Sequence, residues 1–443
     1  MVTKARVRKH LSADALFWTV KNSFSKIHDH RHVNSSIPLS DALMSAFAMF
    51  SLKHPSLLAF ESRTKQTGDN LQAIYKIDRI PSDTQMRAIL DDLAPDDLRD
   101  TYNRVFFQLQ RGKALEQMKF LNGCYLLNLD GTGIYASEKL GSEACLVKKH
   151  KKKGKITYYQ QMVGAAIVHP DYKEVFSIYP EMIMKQDGEK KNDCERNAIK
   201  RLLKKFREDH PKLKVIVNED ALSPNAPHIR DLQSYGCHFI LAVKHGDHAY
   251  LFNEVAKANR KEQTTSYELT DEQDPEKRHL FHFINGVPLN KSNPDLLINF
   301  VEYGEEKNGK IRYFSWITDF EITEENVYQI MRGGRARWKI ENETFNTLKN
   351  QGYNLGHNYG LGKKNLCAVF AAVMMLAFMV DQVQQLCCSL FRSAWKTKGS
   401  KRGLWEHIRA VFMLIQVTSM KEILENIIYG DLMSHDQLIN NTS

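Results

Sequence analysis

Cysteine is scarce and poorly spaced for either of its structural uses. The 443 residues hold 7 cysteines, none in a CxxC pair, and Cys387-Cys388 adjoin inside an apolar run. The odd count and the spacing exclude a disulfide framework and a zinc ribbon, which leaves a reduced, cytosolic protein as the expectation. An apolar leader is also missing. The start of the chain is polar and basic (Lys4, Arg6, Arg8, Lys9) with no hydrophobic region behind it, so no signal peptide is expected. Long hydrophobic runs are few. The single membrane candidate, residues 366–380, falls short of the ~20 apolar residues a span needs, and Asp381 closes it. A buried core helix is expected there. Internal repeats and long low-complexity linkers are lacking too.

What is present is an ordinary globular composition, 42% hydrophobic and 26% charged, on a chain too long for one core of ~250–300 residues. The 62 Lys+Arg outnumber the 52 Asp+Glu, giving +10, a balance that suits a polyanionic partner.

Residues 1–120 read as helical. The run Asp41-Ala42-Leu43-Met44-Ser45-Ala46-Phe47-Ala48-Met49-Phe50 is too apolar for a surface helix, and Ser82 is placed to cap the helix that follows Pro81. The cluster His28-Asp29-His30-Arg31-His32 reads as a solvated loop before it reads as a metal site. From Tyr125 the pattern turns to strands. Tyr125-Leu126-Leu127-Asn128-Leu129-Asp130-Gly131-Thr132 is an apolar strand closing on an acid and a turn glycine, followed by strands at 158–169 and 174–184. A helix at 193–208, a strand at 213–220, a helix at 226–234 and a strand at 237–243 complete an antiparallel start joined to a parallel α/β part. Residues 247–312 break that rhythm with short strands and charged turns, as a β-rich insertion. Between the first two strands, Lys148-Lys149-His150-Lys151-Lys152-Lys153-Gly154-Lys155 forms a hairpin tip. It is either a solvated loop or a track for a phosphate backbone.

The segment from Arg335 to Lys349 reads as one helix after Gly334. On its period Trp338, Glu341, Phe345 and Leu348 share a face, which puts Glu341 on the stripe expected to be buried. A carboxylate there needs a partner, a metal or a shifted pKa. An internal Arg337–Glu341 pair is the plain alternative. Asp130 and Asp220 close two core strands, so three acids stand where metal-assisted phosphoryl transfer would use them. Two Mg²⁺ ions would activate the attacking oxygen and stabilise the leaving one, with Asp130 bridging and Asp220 and Glu341 each holding one side.

These segments resemble the DDE transposases of bacterial insertion sequences, of the large insertion-sequence-four-like group with a β-strand insertion before the glutamate. The resemblance rests on Leu129-Asp130-Gly131-Thr132, on Asn218-Glu219-Asp220-Ala221-Leu222, and on Arg337-Trp338-Lys339-Ile340-Glu341-Asn342 with Phe345 and Leu348-Lys349. Asp187-Gly188, Lys191, Asp193-Cys194-Glu195 and Ala198 resemble the segment before the family's first core helix. It covers roughly residues 36–380 and implies an α/β fold: a ribonuclease-H-like mixed sheet flanked by helices, interrupted by a β-rich insertion, with helical N- and C-terminal regions. The corresponding units are 1–120, 121–246, 247–315, 316–395 and 396–443. The chain departs from the family pattern at Gly334, where a tyrosine is usual, and at Lys349, eight rather than seven residues after the glutamate.

The resemblance implies a transposase that binds the terminal inverted repeats of its element, cuts there and joins the 3′-OH ends to target DNA. It further implies catalytic and metal-holding roles for Asp130, Asp220 and Glu341, with two Mg²⁺ ions for which Mn²⁺ can substitute. DNA contacts are expected from Arg337, Lys349, Lys149, Lys151, Lys152 and Lys153. Trp316 is expected either to stack on a base or to sit in the core. Double-stranded DNA, a homodimer in the synaptic complex and a cytoplasmic, nucleoid-associated location follow; no membrane partner does. A nuclease of the same fold and a catalytically silent DNA-binding relative are the competing readings.

Overall fold

The computed structural model of the chain describes residues 9–31, 35–150, 154–185 and 193–440. Five helices lead: α1 (Ala13–Phe24), α2 (Leu39–Ser51), α3 (Leu57–Tyr75), α4 (Asp83–Asp91) and α5 (Arg99–Arg111). The apolar run read from the sequence is α2, and nearly all of it is buried. Ser82 caps α4 through a reciprocal capping box with Gln85, which satisfies two otherwise orphaned donors.

The sheet follows. Strands β1 (Tyr125–Ser137), β2 (Leu146–His150), β3 (Lys155–Val168) and β4 (Phe176–Ile183) pair antiparallel. After α6 (Glu195–Asp209), β5 (Val215–Glu219) pairs parallel with β1, and after α7 (Ala226–Ser234), β6 (His238–Ala242) pairs parallel with β5. The central strands are apolar on both sides because helices cover both faces. The lysine run lies at the β2–β3 turn. Lys148 and Lys149 are exposed on β2, while Lys151, Lys152 and Lys153 fall outside the described residues, as do Asp187, Gly188 and Lys191.

The insertion differs from its expected form in two ways. It opens with a helix, α8 (Ala249–Arg260), before β7 (Thr265–Thr270), β8 (Lys277–Asn290), β9 (Asn293–Lys307) and β10 (Lys310–Thr318). Its strands also extend the core sheet. β10 pairs antiparallel with β6 (Trp316 opposite Ala242), giving one ten-stranded sheet of order β2-β3-β1-β5-β6-β10-β9-β8-β7, with β4 on β3. The core order, third–second–first–fourth–fifth with the first three antiparallel, makes this a mixed α/β fold of the ribonuclease-H-like kind.

The chain then forms α9 (Val327–Arg335), a π-helical turn (Ile340–Phe345), α10 (Asn346–Asn350), α11 (Leu366–Cys387), α12 (Ser389–Lys398), α13 (Lys401–Leu414) and α14 (Met420–Asn440). α11 runs past Asp381. By length and composition alone it could cross a membrane, yet its most apolar window is wholly buried against α2 and the sheet, as expected of a core helix. The first and last helices form one layer: Asn70 bonds the Phe412 and Ile415 carbonyls and the Val417 N–H, and Asp14 caps Met420.

Candidate active site

Asp130 is not at the end of its strand. β1 continues to Ser137 along β3, whereas its parallel pairing with β5 stops at Asn128↔Asn218. The carboxylate therefore lies two residues beyond the last parallel pair, in the crevice where β1 loses a neighbour. Asp220 leaves β5 on the other lip of that crevice, two residues past Asn218. Its Oδ1 accepts the Leu222 N–H at 2.9 Å. Strand alternation puts Asn128 and Asp130 on one face, and Asn218 and Asp220 on the same face of the neighbouring strand.

The two asparagines seat the helix above. Asn128 Nδ2 donates to the Ala336 carbonyl at 2.7 Å and to that of Arg337 at 3.2 Å, and Asn218 Nδ2 donates to the Gly333 carbonyl at 2.7 Å. Gly333 and Gly334 allow that approach. A Cβ on Gly333 would press on Ile240 and Phe120, and one on Gly334 would overlap the Trp316 indole. The residue that replaces the family's tyrosine is thus one the packing requires to be small.

The expected single helix from Arg335 is instead broken into α9, a turn and the π-helical segment. The wider π turn changes the phase of the faces. Ile340, Thr344, Phe345 and Leu348 are buried, while Glu341 and Trp338 are exposed, Trp338 by 48%. The expectation of a buried Glu341 on a Trp338 stripe fails for that reason. Phe345 anchors the segment over Gly164, the β3 residue opposite Asp130; a Cβ there would meet its ring at 2.7 Å. Arg337 pairs not with Glu341 but with Asp130, Nη1 to Oδ2 at 3.6 Å, and its guanidinium lies 4.5 Å from the Trp338 ring centre.

Electrostatics joins the three acids. Burial pushes the Asp130 carboxyl above the usual carboxylate value. Arg337 and the Gly131 N–H pull it back, and the charges of Asp220 and Glu341 push it further up. A fourth carboxylate, Glu195 in the first turn of α6, arrives from the opposite sheet face. Burial also raises its pKa, with Asp130, Asp220 and Glu219 adding to the effect. It reaches the site because Gly131 has no side chain; a Cβ there would collide with Glu195 Oε2. The sequence reading placed Glu195 only in a family segment. The one local signal was the glycine directly after Asp130.

Glu219 points the other way. It is 1% exposed and bonds His228 of α7 at 3.0 Å, so alternation leaves Asp220, not Glu219, at the crevice. Trp316, 3% exposed between Phe314, Tyr303 and Gly334, has no open face for a base; of its two expected positions, it takes the core. Lys349 is exposed on α10, and Lys149 on β2.

Among the described residues, no three such side chains lie close enough to share one ion as placed. The donor set itself fits a hard divalent cation: oxygen ligands only, from separate rigid elements, with excess negative charge and a glycine cradle that admits Glu195.

Acids on the first and fourth core strands, with a third on a helix returning after an insertion, define a ribonuclease-H-like protein built for phosphoryl transfer. Comparison with family models reaches the same class more specifically: residues 125–379 match the transposase DDE domain, and the chain belongs to that family. A search of curated proteins found no match. Domains of this family act on DNA and generally use divalent metals.

Proposed function

We propose that this chain is the transposase of a bacterial insertion sequence of the insertion-sequence-four-like group. In this reading it binds the element's terminal inverted repeats, cleaves them and joins the 3′-OH ends to target DNA. The observation that carries this is the meeting of Asp130, Asp220 and Glu341 around one crevice, from three distant parts of the chain. Two Mg²⁺ ions, with Mn²⁺ able to substitute, would supply an activated oxygen nucleophile and stabilise the leaving oxygen.

The chain's own residues do the rest. Asp130, Asp220 and Glu341 hold the cations, and Glu195 adds a fourth carboxylate from beneath Gly131. Arg337 orients Asp130 and offers a guanidinium to a phosphate. The exposed indole of Trp338, beside it, is the ring open to a base in place of Trp316. Lys349 and the run Lys149, Lys151, Lys152 and Lys153 follow the DNA backbone. Two copies hold the two ends, and the work is done on the cytoplasmic nucleoid.

The test uses a linear end substrate, measuring single-strand nicking and 3′-OH joining separately. Asp130→Asn, Asp220→Asn and Glu341→Gln should each keep end binding and abolish both steps, while Glu219→Gln retains most of the activity. Near-normal nicking by Glu341→Gln would remove it from the triad. Nicking without joining in the parental protein would make the chain a nuclease.

A further inference from the structure

Behind the helix that carries Glu341 lies a cavity of about 690 Å³, within the usual size of ligand sites. One wall is Glu343, Thr347 and Asn350, on the side of the π-helical segment and α10 away from Phe345. The opposite wall comes from α12 and α13, which bring Trp395, Lys401 and Arg409. No role found so far uses this space.

Its charges do not balance. Lys53 at the floor is satisfied: it pairs with Asp381, and its ammonium lies 3.8 Å from the Tyr353 ring centre and 4.0 Å from that of Trp405. Arg402 and Glu406 at the rim pair with each other at 3.0 Å. That leaves Lys401, Arg409 and Lys173 facing a single carboxylate, Glu343. None of these three cations makes an ion pair among the described residues. Lys401 and Arg409 are nevertheless partly buried, Arg409 donating only to the Leu52 carbonyl at 3.2 Å. Partly buried cations without counter-charge are costly unless an anion completes them. The half-buried indole of Trp395, with Lys401 Nζ at 4.9 Å from its centre, supplies a flat face beside them. Gln351 and Asn354 add amide donors and acceptors.

We propose that this cavity receives one nucleotide of a DNA strand lifted out of, or lying at the end of, the duplex. Its phosphate would meet Lys401 and Arg409, and its base would lie against Trp395. A recess of this size between helices excludes a duplex, and a flat ring beside unpaired cations matches the two parts of a nucleotide. Because Glu343, two residues from Glu341, forms the wall, occupancy holds the catalytic helix against the crevice. The inference rests on DNA being the partner.

The experiment uses the full chain with a single-stranded oligonucleotide carrying 5-iodouracil at successive positions, cross-linked by light and mapped by mass spectrometry. Affinity is measured in parallel for the unmodified oligonucleotide, for dAMP and for inorganic phosphate. An adduct at Trp395 is expected, with dAMP competing better than phosphate. Lys401→Gln and Trp395→Ala should each weaken oligonucleotide binding about tenfold while the melting temperature holds. Equal competition by phosphate and dAMP would reduce the cavity to a plain anion site and overturn the proposal. So would adducts only elsewhere, or variants that alter self-association and not DNA binding. If the parental chain bound DNA in no form, the transposase reading itself would fall; if it bound end duplex normally while both variants behaved as parental, this inference alone would.

Discussion

Asp381 and Asp130 are both acids set into apolar surroundings, and the fold treats them in opposite ways. Asp381, 3% exposed in α11, receives Lys53 and the Tyr353 hydroxyl, and two aromatic rings flank the ammonium. Burial pulls Lys53 down to about 8 and pushes Asp381 up, and their mutual attraction opposes both shifts. That charge is closed on itself. Asp130 has only Arg337, at 3.6 Å, and shares its crevice with Asp220, Glu341 and Glu195. Four carboxylates against one guanidinium leave the site in want of positive charge. A core can contain an ion pair for the sake of the fold; a gathering of like charges at a sheet crevice is maintained for something that arrives.

The largest difference should appear when each acid is neutralised. Asp381→Asn strands Lys53 and should cost about 3–5 kcal/mol in urea unfolding, since removing one partner leaves an uncompensated buried charge. Asp130→Asn relieves repulsion, so stability should be unchanged or rise slightly while nicking disappears. Equal losses of stability in the two variants would erase the distinction.

Arg337 tests whether the open site's single cation matters to the reaction. Arg337→Ala should lower the nicking rate about ten- to hundredfold, in line with a lost charged hydrogen bond of about 1.5–3 kcal/mol. Arg337→Lys should recover only part of it, because an ammonium cannot meet a phosphate with two parallel donors. Parental rates in Arg337→Ala would leave the residue a purely structural neighbour of Asp130.

Much of this was legible beforehand because it depends on short-range pattern. The apolar β1 segment, the capped α4 and the order of Asp130, Asp220 and Glu341 all carry local signals. What the sequence hid depends on register and phase. Strand β1 looked finished at Gly131 because a turn glycine and a cradle glycine are the same letter; only the packing of Glu195 tells them apart. The helix at Glu341 was read with an α period, and the π turn moved Trp338 and Glu341 to the surface. Trp316 gave no sign of its burial because its partner is a glycine eighteen residues on. The pairing of β10 with β6, which makes the insertion part of the main sheet, involves strands 70-odd residues apart and leaves no local trace.

Glu195 extends the comparison from charge to shape. Glu195→Gln should weaken Mn²⁺ binding, measured by calorimetry on the free protein, by roughly tenfold, the lower end of what supporting residues contribute to metal sites. Gly131→Ala should do the same without touching any carboxylate, by pushing Glu195 off its seat. If Gly131→Ala weakened Mn²⁺ binding while Glu195→Gln did not, the glycine would serve β1 alone and the fourth carboxylate would drop out.

The smallest effect is expected where the excess positive charge meets solvent. Lys148 and Lys149 project from β2, one strand away from β3 and two from Asp130, and the rest of the run continues around the turn. Each phosphate such a lysine neutralises contributes about −0.9 to the slope of log K against log[salt] on duplex DNA. Replacing Lys149, Lys151, Lys152 and Lys153 by Ala should therefore flatten the slope and weaken binding a few-fold at low salt. The loss should be equal for end and random sequences, because phosphate contacts carry no sequence information. The charge involved is exposed and screened, unlike the guanidinium at Asp130, so the loss should shrink as salt rises and vanish near 1 M, where the screening length falls to about 3 Å. An unchanged slope would return the run to the role of a solvated hairpin tip, and a loss confined to end sequences would mean that it reads the DNA rather than tracks it.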